Sequence, residues 1–185
     1  TLTVEPDVCL ALEQLAAGYS HSLALQDSGK LWAWGSNSDG QLGDGTNEDK
    51  TLPVTADVTA LGGAEIVSLV AGAGHTVAID DAGELWAWGN NDDGQLGDFS
   101  FTDQTTPVAV RFDGEAVAVA AGFGHTLALD SAGGVWGWGL NLSGQVGDGS
   151  TQVQIGTPVQ VDLSALAGSK VVSIAAGGDH SVALD

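Results

Sequence analysis

The chain has 185 residues, 28 of them glycine, and 43% of its residues are hydrophobic, which suits a folded protein with a substantial core. Asp and Glu number 24 against four basic residues, giving a formal net charge of −20. That field repels phosphate backbones and anionic lipid, so no nucleic-acid partner and no membrane-surface role is expected, and no apolar run of about 18 residues predicts membrane insertion. Cys9 is the single cysteine, so no disulfide can close within one chain. The sequence opens on Thr1 rather than Met, which leaves an export signal open.

One unit recurs along the chain. Gly18 to Gly43 reads Gly-Tyr-Ser-His-Ser-Leu-Ala-Leu, then Gly-Lys-Leu-Trp-Ala-Trp-Gly, then Gly-Gln-Leu-Gly. Gly72 to Gly97 and Gly122 to Gly147 repeat it, and a fourth copy starts at Gly177. The first glycines are separated by 54, 50 and 55 residues, a period that signals a propeller, solenoid or array.

In chain order, Thr1-Leu2-Thr3-Val4 parallels segments that end each repeat, so 1–11 reads as an outer strand of a preceding unit. Leu12 to Ala17, Ile66 to Ala71, Val117 to Ala121 and Val171 to Ala176 are short apolar runs bounded by glycine, as buried strands are. A Gly-x-x-His corner and a second strand follow, for example His75 to Ile79, ending in an Asp-Asp-Ala-Gly hairpin. The third strand carries two tryptophans two residues apart, hence on one face of a strand; a helix would set them about 200° apart. Gly-x-Asn-x-x-Gly-Gln-Leu/Val-Gly-Asp then predicts a fixed turn whose glycines take backbone shapes closed to other residues. A variable loop and a fourth strand with proline, fitting an edge position, complete the unit. Four strands per roughly 50 residues is the arithmetic of a propeller blade.

These motifs resemble the regulator-of-chromosome-condensation (RCC1-like) repeat family, bacterial type, over essentially the whole of Thr1 to Asp185. The resemblance implies an all-β fold: a β-propeller segment of four-stranded antiparallel blades, about 3.5 of them, as a partial or oligomer-completed ring. Residues 1–185 form one repeat domain. Within it, 12–58, 59–111 and 112–163 are complete blades and 164–185 the first half of a further one. The family's rings usually hold seven blades, so self-association through open blade ends is expected as an alternative to a longer propeller.

His21, His75, His125 and His180 occupy equivalent positions, which assigns each the same local job, bridging backbone at its corner, rather than a shared metal. Trp32, Trp34, Trp86, Trp88, Trp136 and Trp138 are read as packing between blades. A light-sensing member of the family carries Gly-Trp-Arg-His-Thr at this corner, and none of the corners here has Trp or Arg. The Asp-rich turns at 37–40 and 91–94 lack the first and twelfth ligands of a calcium loop, so no metal, cofactor or catalytic residue is assigned.

Where the repeats differ, binding is expected. The candidate partner-binding residues are Tyr19, Phe99, Phe101, Phe123 and Asp179. The expected function is a non-enzymatic protein-interaction or scaffold module using variable loops on one face, in a bacterial protein that is extracellular or at the cell surface, with the cytoplasm left open. A bacterial member of the family that inhibits β-lactamases shows what such loops can do. The alternatives are guanine-nucleotide exchange on a small GTPase, and an architectural array in a large surface protein.

Overall fold

A computed structural model describes residues 11–166 and 169–185. The outer strand expected over 1–11, with Cys9, lies outside the described residues apart from Ala11. Three four-stranded antiparallel meanders follow one another: β1 (Leu12–Ala17), β2 (His21–Gln26), β3 (Leu31–Gly35) and β4 (Lys50–Thr55); then β5 (Ile66–Ala71), β6 (His75–Asp80), β7 (Leu85–Gly89) and β8 (Gln104–Ala109). The third is β9 (Ala116–Ala121), β10 (His125–Asp130), β11 (Val135–Leu140) and β12 (Gln154–Gln160). A two-stranded sheet of β13 (Ser173–Ala176) and β14 (Ser181–Leu184) begins a fourth. These are the blades of a partial β-propeller. First strands β1, β5, β9 and β13 lie side by side, so each meander starts at the shared axis and runs outward.

Local chemistry sets each turn. In the second blade Asp80 accepts hydrogen bonds from Ala82 N, Glu84 N and Trp86 Nε1, closing the β6–β7 hairpin. Asp130 does the same in the third blade, with Ala132, Gly134 and Trp136. In the long turn the Asn91 amide is the hub: its Oδ1 accepts from Leu96 N, and its Nδ2 donates to Asp98 and Ser100. Gly94 and Gly97 in this turn hold φ of 79° and 68°, the left-handed region that glycine enters without steric cost. The outer strands interrupt the ladder. Ala33 pairs with Val54 but Gly35 with Lys50, so β4 carries extra residues, among them Pro53, where no ladder bond is needed.

The core lies between blades rather than within them. Leu23, Leu25, Leu42, Leu69 and Trp88 form one cluster spanning the first two blades; Val77, Leu96, Val119, Trp138 and Val146 form the next. Trp88 and Trp138 are fully buried, and each indole N–H donates to a carbonyl of the preceding blade, Trp88 to Gln41 O at 3.1 Å and Trp138 to Gln95 O at 2.8 Å. Trp34 has no sheet packed on that side among the described residues and is only half-buried. The partner tryptophans Trp32, Trp86 and Trp136 are half-buried and anchored through Nε1 to Gln26, Asp80 and Asp130.

The histidines do a different job from the one expected. The corner is closed by backbone alone, Gly72 N to His75 O at 2.9 Å, while the imidazole reaches the next blade. His21 Nε2 meets Thr76 Oγ1 at 3.1 Å, His75 Nε2 meets Thr126 Oγ1 at 3.0 Å, and His125 Nε2 meets Ser181 Oγ at 3.1 Å. Each hydroxyl in turn donates to a carbonyl of the preceding blade's turn: Thr76 to Gln41, Thr126 to Gln95, Ser181 to Gln145. With the hydroxyl proton committed there, Nε2 must carry the imidazole proton. The glycine of each corner makes room for the ring, since a Cβ on Gly72 would fall 2.3 Å from His75 Cε1.

Candidate functional site

Because every corner turns within three residues, its two central residues stand at the tips of the blades, on one face. There the first three corners and the turns after β3 and β7 enclose an open groove of about 480 Å3. Tyr19 and Phe123 stand on it, 83% and 58% exposed, on the outer two of the three corners; Ala73 and Gly74 between them leave the middle open. Tyrosine and other large aromatics are enriched among the residues that anchor protein interfaces.

The polar lining comes from the turns. Asp39, Asp92 and Asp93 all border the groove, and among the described residues none of the three is ion-paired; the only salt bridges join Lys50 to Asp44 and Glu48. Asp39 leans over Gly74 and Asp93 over Gly124, so that a Cβ on those glycines would lie 3.2 Å and 3.0 Å from the carboxylate oxygens. Gln41, 2% exposed, also lines the groove; its Oε1 accepts from Asp39 N. In the next blade the equivalent Gln95 also donates, from Nε2 to Asn90 Oδ1. Ser36 replaces that asparagine in the first blade, and Gln41 Nε2 has no acceptor among the described residues. The unneutralised charge is felt nearby. The Asp103 carboxyl is pushed up by burial and by the charges of Asp92 and Asp39, against the lowering effect of its bond from Asn91 N.

The five residues singled out from sequence do not form one site. Tyr19 and Phe123 are brought together on the groove. Phe99, with φ of 72°, lies instead beside Arg111 and Pro158 on another cavity, its ring 5.9 Å from the guanidinium carbon. Phe101 packs over Gly94 and Gly156. Asp179 borders a separate cavity with Ser143 and His180. It also sits one position later in its corner than Tyr19 and Phe123 do in theirs; Gly178 is their counterpart. Asp39, Asp92 and Asp93 entered the sequence reading only as failed calcium ligands, and Gln41 only as part of the glycine frame. The signal for them was the change at the turn's third position, Asp39 and Asp93 against Ser143. Among the described residues no group of three or more His, Cys, Asp or Glu could hold a metal ion.

Four-stranded meanders repeated side by side around one axis place the chain among the β-propeller repeat proteins. The sequence profile of the RCC1-like domain matches residues 3–185, and the chain belongs to that family. It is 42% identical over 102 residues to the mitochondrial RCC1 domain-containing protein RUG3 of Arabidopsis thaliana, covering 55% of this chain and 22% of that protein. It is 38% identical over 105 residues to the ultraviolet-B receptor UVR8 of the same plant (57% and 23%), and 38% over 96 residues to the RCC2 homolog of Danio rerio (51% and 19%). The chain thus spans less than a quarter of these curated relatives. Among solved structures, human WBSCR16 superposes with a TM-score of 0.86 at 26% identity, over 97% of this chain and 46% of that one. Prp20p of Saccharomyces cerevisiae, described with its binding to Gsp1p and histones, superposes at 0.82 with 23% identity, over 93% and 43%. These relatives are eukaryotic and lend no support to a bacterial type.

Proposed function

We propose that the chain is a non-enzymatic protein-interaction module that captures its partner in the groove between the first three blade corners. The observation that carries this reading is the pair Tyr19 and Phe123, exposed on either side of a concavity floored by small residues. Burying them on binding removes apolar surface from water while the rigid blades below cost no reordering. That relatives such as Prp20p bind proteins supports the class of function and says nothing about which partner this chain takes. The test is capture from cell lysate and from culture medium in parallel, with intact chain and with Tyr19→Ser/Phe123→Ser. The double variant should fold normally and lose the partner; undiminished capture sinks the reading. Capture from medium alone would place the chain outside the cell or at its surface, as proposed. Nucleotide exchange is the rival, checked by whether the chain speeds release of a labelled guanine nucleotide from the captured partner.

The end sheets offer a second route, self-association. Leu15 and Trp34 are accessible at one end, and Val182 and Leu184 at the other. A concentration-dependent mass in sedimentation would show copies pairing; a constant monomer mass would exclude it.

A further inference from the structure

We propose that the corner groove takes a cationic side chain, arginine above lysine, from an extended segment of the partner, with the charge against Asp39 and Asp93 and the stem against Tyr19 and Phe123. This inference rests on the reading that the corner face is the binding face, and it adds the chemistry of what binds.

Four observations converge on it. First, Asp39, Asp92 and Asp93 line a single concavity and have no cation beside them, in a chain with four basic residues in all. Two of those four lie next to aromatics elsewhere: Lys30 Nζ sits 4.1 Å from the Trp32 ring centre, and Arg111 lies near Phe99. Second, the groove offers aromatic faces beside the carboxylates, and a guanidinium is planar and weakly hydrated, so it can stack on a ring while donating to a carboxylate. Third, Gln41 lines the groove, its Oε1 is taken by Asp39 N, and its Nε2 makes no hydrogen bond among the described residues. That donor suits a backbone carbonyl of the same incoming segment, which an isolated metal ion would not supply.

Fourth, the charge is placed the same way at successive blade joints by different residues. The turn after β3 supplies Asp39 opposite Gly74, and the turn after β7 supplies Asp93 opposite Gly124. At the third joint the turn residue is Ser143, and the corner residue facing the same cavity is Asp179. Acid and small residue have exchanged sides, and each joint keeps at least one carboxylate. An extended basic segment laid along the face would meet at least one carboxylate per joint.

The experiment uses the intact chain and two synthetic peptides, a Gly/Ser decapeptide carrying two arginines and the same peptide with glutamine in their place. Binding is followed by calorimetry and by the NMR ring signals of Tyr19, the only tyrosine. The arginine peptide should bind and shift Tyr19. Asp39→Asn/Asp93→Asn should weaken it about tenfold or more, and added salt should weaken it further. Glu65→Gln/Glu84→Gln removes the same charge from exposed sites outside the groove and should change affinity less than about twofold. If the glutamine peptide binds equally, and Tyr19→Ser abolishes both, the face survives as a binding site and its preference for a cation is overturned. Equal losses in the two carboxylate variants would mean diffuse attraction to a chain of charge −20 and would overturn the proposal. So would no binding of the arginine peptide at all.

Discussion

Replacing Thr76 with valine tests whether the blades are held together by the His–Thr–carbonyl relay. Valine keeps the branched shape and removes only Oγ1. The hydroxyl links three groups: it accepts from His21 Nε2 at 3.1 Å and donates to Gln41 O at 2.9 Å, and Gln41 O also accepts from Trp88 Nε1. The carbonyl therefore keeps one partner after the change. The imidazole does not: His21 Nδ1 already has no partner, so the whole buried ring would be left without a hydrogen bond. An unsatisfied buried donor costs about 1–3 kcal/mol, and losing the second bond adds about 1 kcal/mol, for a combined loss of about 2–4 kcal/mol. Urea unfolding followed by tryptophan fluorescence measures it, since Trp88 sits at the same joint. A loss below about 0.5 kcal/mol, with His21 still the Nε2-protonated tautomer by NMR, would show that the relay is incidental and apolar packing alone joins the blades.

The two tryptophan types should separate in the same assay. Trp88→Ala should cost about 3–5 kcal/mol because the ring is fully buried between blades, whereas Trp34→Ala, half-buried and without a carbonyl acceptor among the described residues, should cost less than half as much; equal losses would contradict the packing. Acid should loosen the joints before it titrates most carboxylates. Burial holds His21 down at about 4, and burial with the neighbouring His21 and His125 holds His75 at about 3. The unfolded chain therefore takes up these protons first, near its ordinary value of about 6.5. Stability is whole at neutral pH and falls as pH drops below that value, each histidine contributing up to about 1.4 kcal/mol per pH unit until its folded value is reached. A flat stability profile between pH 7 and 4.5 would refute the buried neutral imidazoles. Phe99→Ser/Phe101→Ser should leave partner capture intact, because both rings lie off the groove, while Tyr19→Ser/Phe123→Ser abolishes it; the reverse pattern would move the binding face to the loop after β7.

The blades were legible because their signal is written in the backbone: the Trp-x-Trp spacing, the Asp-Gly hairpins and the glycine frame recur in register, and β1 and β5 fall on the residues expected. The role of the histidines was not, for a physical reason. A local motif says that an imidazole stands at a corner but not what meets its far nitrogen, and Thr76 and Thr126 are more than fifty residues away. The groove was half legible. Tyr19 and Phe123 stood out as bulky residues in a small-residue frame, but loop aromatics carry no such guarantee: Phe101 looked equally prominent and packs over two glycines instead. The carboxylates were visible as residues and invisible as a cluster, because only the packing of one blade on the next brings Asp39, from the first, to Gly74, from the second.

That exchange between turn and corner separates what the fold needs from what the face presents. If the turn's third position served packing alone, Ser143 shows that a small polar side chain suffices there, since its backbone N–H makes the same bond to Gln145 Oε1 that Asp39 and Asp93 make to Gln41 and Gln95. A carboxylate at 39 and 93 is therefore not needed to close the turn and worsens repulsion in a chain already at −20; its own bonds are from Ser38 Oγ to Asp39 at 3.3 Å and from Gln154 Nε2 of β12 to Asp93 at 2.8 Å. Its counterpart across the third joint is the exposed Asp179, in a corner closed by Gly177 N to His180 O, so negative charge stands at both kinds of position, turn and corner. A charge that closing the turn does not require is free to meet the proposed cationic segment without loss of the turn itself.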